Sequence, residues 1–185
     1  PLKAATLIYE DGKKVNMSPG AKAEEGAKTR VTVDKDTTYR IRVEDTYKDN
    51  EPQTTDFFYV KAVPDAPPEI EMTAPKVDMS IHPLCEVTFK GKVKDDYGVA
   101  TAKVKADLHQ GEKVVPLELS MDVTGPAGET KNVREGAAEH LWQAESAKPK
   151  MNVGDMMFYY FEVADRKGQI TKTDVYFIKM MPLET

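Results

Sequence analysis

A chain of 185 residues is long enough for one large domain or two ordinary ones, each able to bury a core of its own. Hydrophobic residues at 40% and charged residues at 31% describe a well-solvated globular protein and exclude a disordered or lipid-embedded one. A formal charge of −5 and a pI near 5.3 argue against a phosphate-binding surface, so nucleic acid is not an expected partner.

From the N-terminus, "ATLIYEDGKKVNM" (5–17) reads as a strand, a glycine-containing turn and a second strand. The connection "VDKDTTY" brings Asp34 and Asp36, and "YRIRVED" (39–45) follows as a strand with apolar residues at alternate positions. "DFFYVKAVP" from residue 56 closes this part, which ends at the proline joint "VPDAPPEIEM". Pro64, Pro67 and Pro68 cannot donate backbone hydrogen bonds and favour a stiff, extended connection. Beyond the joint, strands are predicted over 69–73, 85–93, 99–108, 113–121, 137–145, 156–164 and 171–180. The segment "EGAAEHLWQAESAKPK" also has helix-favouring composition, but a strand fits better because Leu141 and Trp142 could then fill the core.

Two copies of one unit are visible. "YRIRVED" and "YYFEVAD" (159–165) share Tyr, apolar, Val and Asp at the same spacing. Matched blocks "DFFYVKAVP" and "DVYFIKMMP" follow eleven and nine residues after each Asp. "ATAKVKADLHQGEKVVPLELSM" (100–121) repeats the opening strand–turn–strand. The expected fold class is all-β: two tandem immunoglobulin-like, fibronectin III-like sandwiches. A truncated domain (1–63), a linker (64–69) and a complete domain (70–185) follow from this reading. The first copy starts at what would be the third strand, so two strands are expected before Pro1, and an exposed sheet edge is left where they belong. The first 63 residues carry 11 basic and 11 acidic side chains, leaving 15 and 20 for the remainder, which therefore holds the whole net charge. Tyr39 and Tyr159 begin the sixth strand of each copy, where a tyrosine hydroxyl often ties down the preceding connection; packing is their expected role.

The combination of "PDAPPEIEMTAP", "VTFKGKVKDDYGVATAKV" and "NVGDMMFYYFEVADRKGQ" resembles the immunoglobulin-like repeats of large, poorly characterised bacterial membrane-anchored proteins. The resemblance covers about residues 60–181 well and 1–60 more loosely. It implies a non-catalytic spacer or adhesion module of an exported, extracytoplasmic protein, at the periplasm or cell surface and membrane-anchored through its parent. It also implies that its partners are other domains of the same parent chain. No apolar run is long enough to span a bilayer, and any anchor or export signal is expected outside this sequence.

Catalytic constellations are not legible. Cys85 stands alone, so no intrachain disulfide can form; it continues the alternation Cys85, Val87, Phe89, Gly91, Val93 and reads as a buried structural thiol. His82, His109 and His140 lie on separate segments without metal-ligand spacing, and Ser80 and Ser120 lie in no nucleophile turn. The protein is expected not to be an enzyme and to need no cofactor. Two features invite a function. The first is acidic: Asp95 and Asp96 in "GKVKDDYGVA", Asp165, linker residues Asp65 and Glu69, and Asp34 and Asp36 are expected to converge at the joint. There they could bind calcium and stiffen it, or serve only as turn residues. Asp96 and Asp165 are the first candidates, with Asp96 capping the turn before Gly98 and Asp95 on the solvated rim. The second is the insertion "VTGPAGETKNVREGAAEH" (123–140), a candidate carbohydrate- or protein-binding loop.

Overall fold

The structure is a computed structural model that describes residues 2–21, 26–47 and 49–183. The described residues form strands and turns with no helix, so no helix is long and apolar enough to cross a membrane. The chain divides into two units, residues 1–64 and 65–185.

The second unit is an immunoglobulin-like sandwich. Its strands are β7 (Glu69–Ala74), β8 (Met79–Ile81), β9 (Glu86–Lys94), β10 (Thr101–Gln110), β11 (Lys113–Ser120), β12 (Asp122–Thr124), β13 (Glu135–Gln143), β14 (Met156–Ala164), β15 (Ile170–Lys172) and β16 (Tyr176–Met180). One sheet runs β12-β13-β9-β7 and the other β11-β10-β14-β16-β8, with β15 also on β14. All pairs are antiparallel except β16 with β8. The alternation predicted for β9 and β14 is what buries the core: Val87, Phe89 and Val93 face Met157, Tyr159, Phe161 and Val163, and all seven are buried. The Phe89 ring meets those of Tyr159 and Phe161 edge-on at centroid distances of 5.0 and 6.0 Å. Each such side chain contributes about 1.5–3 kcal/mol of transfer free energy. Gly91 lies in the same row because a Cβ there would sit 3.3 Å from the Phe161 ring and 3.1 Å from the Glu71 carbonyl oxygen.

Four details differ from the sequence reading. The strand expected over 171–180 is two, β15 and β16, with a break at 173–175. The short strands β8 and β12 lie where none was expected. The strand at 135–143 forms, but neighbours on a strand face opposite ways, so Trp142 is buried while Leu141 is 51% exposed. The Tyr159 hydroxyl reaches back to the sandwich's first segment, donating to the Pro75 carbonyl at 2.9 Å, instead of tying down the connection preceding β14.

Among its described residues the first unit contains the counterpart of one of these sheets. Its strands are β1 (Leu2–Tyr9), β2 (Lys14–Pro19), β3 (Ala27–Lys28), β4 (Thr37–Asp45), β5 (Gln53–Thr54) and β6 (Phe58–Val60). They make one sheet in the order β3-β2-β1-β4-β5, with β6 also on β4. The register repeats residue for residue. Leu7 opposes Ile41 and Ala5 opposes Val43, as Val104 opposes Phe161 and Ala102 opposes Val163. Tyr39 opposes Phe58 as Tyr159 opposes Tyr176. A kink between the two short closing strands is also duplicated. Ile41 N donates to Thr55 Oγ1 at 3.0 Å, and that hydroxyl donates to the Asp56 carbonyl at 2.9 Å. Phe161 N, Thr173 and Asp174 repeat this at 2.9 and 3.0 Å. Among the described residues no second sheet faces this one, and only Ala5 and Leu7 of its apolar residues are buried.

Candidate functional site

The acidic turns at one end of the second unit hold Asp95, Asp96 and Asp165. The inward positions of β9 are 87, 89, 91 and 93, and the next is Asp95; those of β14 are 157, 159, 161 and 163, and the next is Asp165. Each carboxylate is thus drawn inside at the point where its strand ends, and the two are 5% and 6% exposed. There the chain must turn, and a short carboxylate can accept the amides that the sheet no longer pairs.

Asp165 does so with both oxygens. Its Oδ1 accepts from the Lys167 and Gln169 amides, and its Oδ2 from the Gln169 side-chain amide, all at 2.8 Å. Desolvation pushes its pKa up, but the backbone and side-chain bonds from Gln169, with the amides of Lys167 and Gly168, outweigh it and leave the carboxyl below its ordinary value. Asp45, at the same place in the first unit, repeats the pattern: Oδ1 accepts the Tyr47 amide at 2.8 Å and Oδ2 the Asn50 side chain at 2.6 Å. Its pKa is also lowered, chiefly by Asn50.

The roles of the adjacent pair are the reverse of those expected. Asp95, not Asp96, caps the turn: its Oδ2 accepts the Tyr97 amide at 3.0 Å, and its own amide donates to the Arg134 carbonyl at 2.7 Å. Asp96 is exposed and, among the described residues, accepts a single long bond, 3.5 Å, from the Ala66 amide. The physical reason is parity, since the alternation of β9 places 95 inward and 96 outward. Gly98 completes the turn at φ +105°, and a Cβ there would meet the Asn132 backbone at 3.3 Å, so glycine is required twice over.

Asp65 pairs with Lys167, Oδ2 to Nζ at 2.9 Å, and its carbonyl accepts the Gln169 side chain at 3.5 Å. Lys167 also lies over the Tyr97 ring, 5.9 Å from its centroid. One oxygen each of Asp65 and Asp95 is buried without a hydrogen-bond partner among the described residues. In the first unit Asp34 is exposed, and Asp36 accepts from the Tyr59 hydroxyl at 2.7 Å and the Ala62 amide at 2.8 Å. The Tyr59 bond is the larger cause of its lowered pKa. Among the described residues no three His, Cys, Asp or Glu side chains are grouped so as to hold a metal ion.

The 123–140 insertion is tied into the sandwich. Its ends are β12 and β13, and between them Gly125 N donates to the Glu129 carbonyl at 2.8 Å and Gly128 N to that of Gly125 at 3.0 Å. Val133 is buried and its carbonyl accepts Val99 N at 2.9 Å, while Asn132 accepts from Arg166. The turn 95–99 and this loop therefore hold each other, a pairing that sequence distance hides. The histidines serve locally: His82 Nδ1 accepts the Leu84 amide at 3.3 Å, His109 packs edge-on against Phe158 at 5.1 Å, and His140 Nδ1 bonds the Ser120 carbonyl at 2.8 Å. Cys85 is half-buried against the core.

No family model and no curated protein matches the chain. Among solved structures, it is similar to fibronectin(III)-like modules of CbhA from Clostridium thermocellum: 15% identity, TM-score 0.41, covering 100% of this chain and 82% of that one. It is also similar to the SrpA adhesin of Streptococcus sanguinis, at 14% identity and TM-score 0.34 over 66% of this chain. It spans 61% of that protein, less than two thirds of its length. A Salmonella alpha-2-macroglobulin gives 15% identity and TM-score 0.38, covering 97% of this chain and 12% of that one. The fold assignment stands on the strand register.

Proposed function

We propose that the chain is a non-catalytic structural module, a tandem spacer or adhesion segment of a larger exported bacterial protein. The observation that carries this is the residue-for-residue duplication of one sheet, including the Thr55 and Thr173 kinks and the Asp45 and Asp165 caps. What is duplicated is framework. The acidic residues singled out by the sequence are employed in that framework: Asp95 and Asp165 accept turn amides, Asp65 takes the Lys167 ammonium and Asp36 fixes the end of β6. Their role in this reading is turn chemistry and not cation binding. Thermal melting of the chain with and without millimolar calcium should give the same midpoint; a raised midpoint would assign a cation to the site. For the spacer role, small-angle scattering should show an elongated particle. A compact, strongly bent pair would contradict it.

A second reading, a carbohydrate- or protein-binding module, is favoured by one feature of the second unit. An open, mostly apolar groove of about 600 Å³ is lined by Lys92, Thr124, Gly125, Pro126, Glu135, Gly136 and Ala137. Glycan-array or pull-down binding that disappears on Pro126→Glu would support it; binding that survives would remove the groove from consideration.

A further inference from the structure

The prolines at 64, 67 and 68 predict a linker, yet the chain is fastened to the second unit from Asp65 onward. Val63 is 70% exposed and Pro64 is exposed, whereas the Asp65 side chain is only 9% exposed and Pro68 is buried. The fastenings come from the two turns capped by Asp95 and Asp165. Lys167 Nζ meets Asp65 Oδ2 at 2.9 Å, the Gln169 side-chain amide donates to the Asp65 carbonyl at 3.5 Å, and the Ala66 amide donates to Asp96 Oδ2 at 3.5 Å. Both amide bonds are longer than the usual range of about 2.7–3.2 Å, so the ion pair is the principal hold. One oxygen of the enclosed Asp65 carboxylate has no hydrogen-bond partner among the described residues. A carboxylate placed in this way is unfavourable unless a cation compensates it, and losing that cation drives it back to water. The cation is Lys167, which is 68% exposed and lies over the Tyr97 ring. The bond from Asp65 raises the Lys167 pKa, which keeps the ammonium charged at neutral pH. The contact is thus enclosed on its acidic side and open to solvent on its basic side.

We propose that Lys167 is an electrostatic latch that makes residues 65–67 a strap of the second unit, releasable without unfolding the sandwich. With the ammonium on Asp65, the ordered unit starts at Asp65. With the ammonium removed, Asp65 returns to water and order starts at the buried Pro68. The pairing of β7 with β9 lies beyond the strap and is retained in both states. For its use, the latch rests on the spacer reading: in a tandem spacer it sets the length of free chain ahead of the sandwich.

The test is backbone amide relaxation by NMR on the full chain. The Asp65 and Ala66 amides should have order parameters of about 0.85, like those of β9, and Lys167→Gln should lower both below about 0.6. Lys167→Arg keeps a charged donor and should keep the parent values. In an Asp65→Asn background, where no carboxylate needs compensation, Lys167→Gln should change nothing further. The urea midpoint read by Trp142 should be the same in all variants, which separates release of the strap from loss of the fold. Order parameters below about 0.6 at Asp65 and Ala66 in the parent, or parent values retained in Lys167→Gln, overturn the proposal. Loss of the sandwich in Lys167→Gln also overturns it, by making the pair part of the fold. A compact particle in small-angle scattering would sink the spacer reading and leave these amide values unmoved, so the two fail separately.

Discussion

The β10–β14–β16 region of the second unit and the β1–β4–β6 region of the first share register, kink and cap but not cover. Tyr159 and Tyr39 occupy one position, yet the first is fully enclosed and the second half-exposed. The difference teaches that hydrogen bonding alone can define this sheet, whereas its stability depends on the strands laid across it.

Paired substitutions at equivalent positions measure that dependence. The largest contrast is expected between Phe161→Ala and Ile41→Ala. The former opens a cavity beneath Phe89 and should cost about 3–5 kcal/mol in urea unfolding followed by Trp142, which belongs to the second unit. Ile41→Ala, on a half-open face, should cost the first unit about 1 kcal/mol, read by hydrogen exchange. Equal costs would break the comparison. Next, Gly98→Ala combines positive φ with the Asn132 contact and should cost about 1–3 kcal/mol. Gly12→Ala has φ +83° but open space around it, and should cost about 1 kcal/mol. Tyr159→Phe removes the bond to the Pro75 carbonyl and should cost about 1 kcal/mol, whereas Tyr39→Phe should leave stability unchanged.

The smallest effect is a pH dependence. Asp165 has a lowered pKa in the folded state, so the stability it contributes is present above its unfolded-state value and is lost as pH falls through the folded one. Asp165→Asn should therefore flatten the acid limb of the Trp142 unfolding profile and leave the neutral-to-alkaline limb parallel to that of the parent. Asp45 has the same sign, and Asp45→Asn should act on the first unit alone. An acid limb unaltered by Asp165→Asn would contradict the cap assignment.

Much of this was legible in the sequence, because period-two patterning survives duplication. The paired blocks at 39–45 and 159–165 identify β4 and β14, and the strand expected near 137–145 forms at 135–143 despite its helix-favouring composition. Strand pairing overrode local propensity there, since β9 and β12 hold both edges of that segment. The inward position of Asp95 is legible too: extending the alternation of β9 by one step puts it inside, whereas turn composition favours the Asp two residues before glycine. The contacts of the 125–134 loop with the 95–99 turn, of Lys167 with Asp65 and of Tyr159 with Pro75 were not legible. They join segments far apart in sequence and depend on how the two sheets stack. Strands β8 and β12 were missed because three-residue strands carry too short a pattern to register.

The central claim is that one sheet occurs twice, once covered and once open, and residue-resolved hydrogen exchange of the intact chain tests it most directly. The account predicts that the paired amides of β10 and β14 exchange about a hundredfold or more slowly than their counterparts in β1 and β4. Equal protection in the two sheets would contradict it.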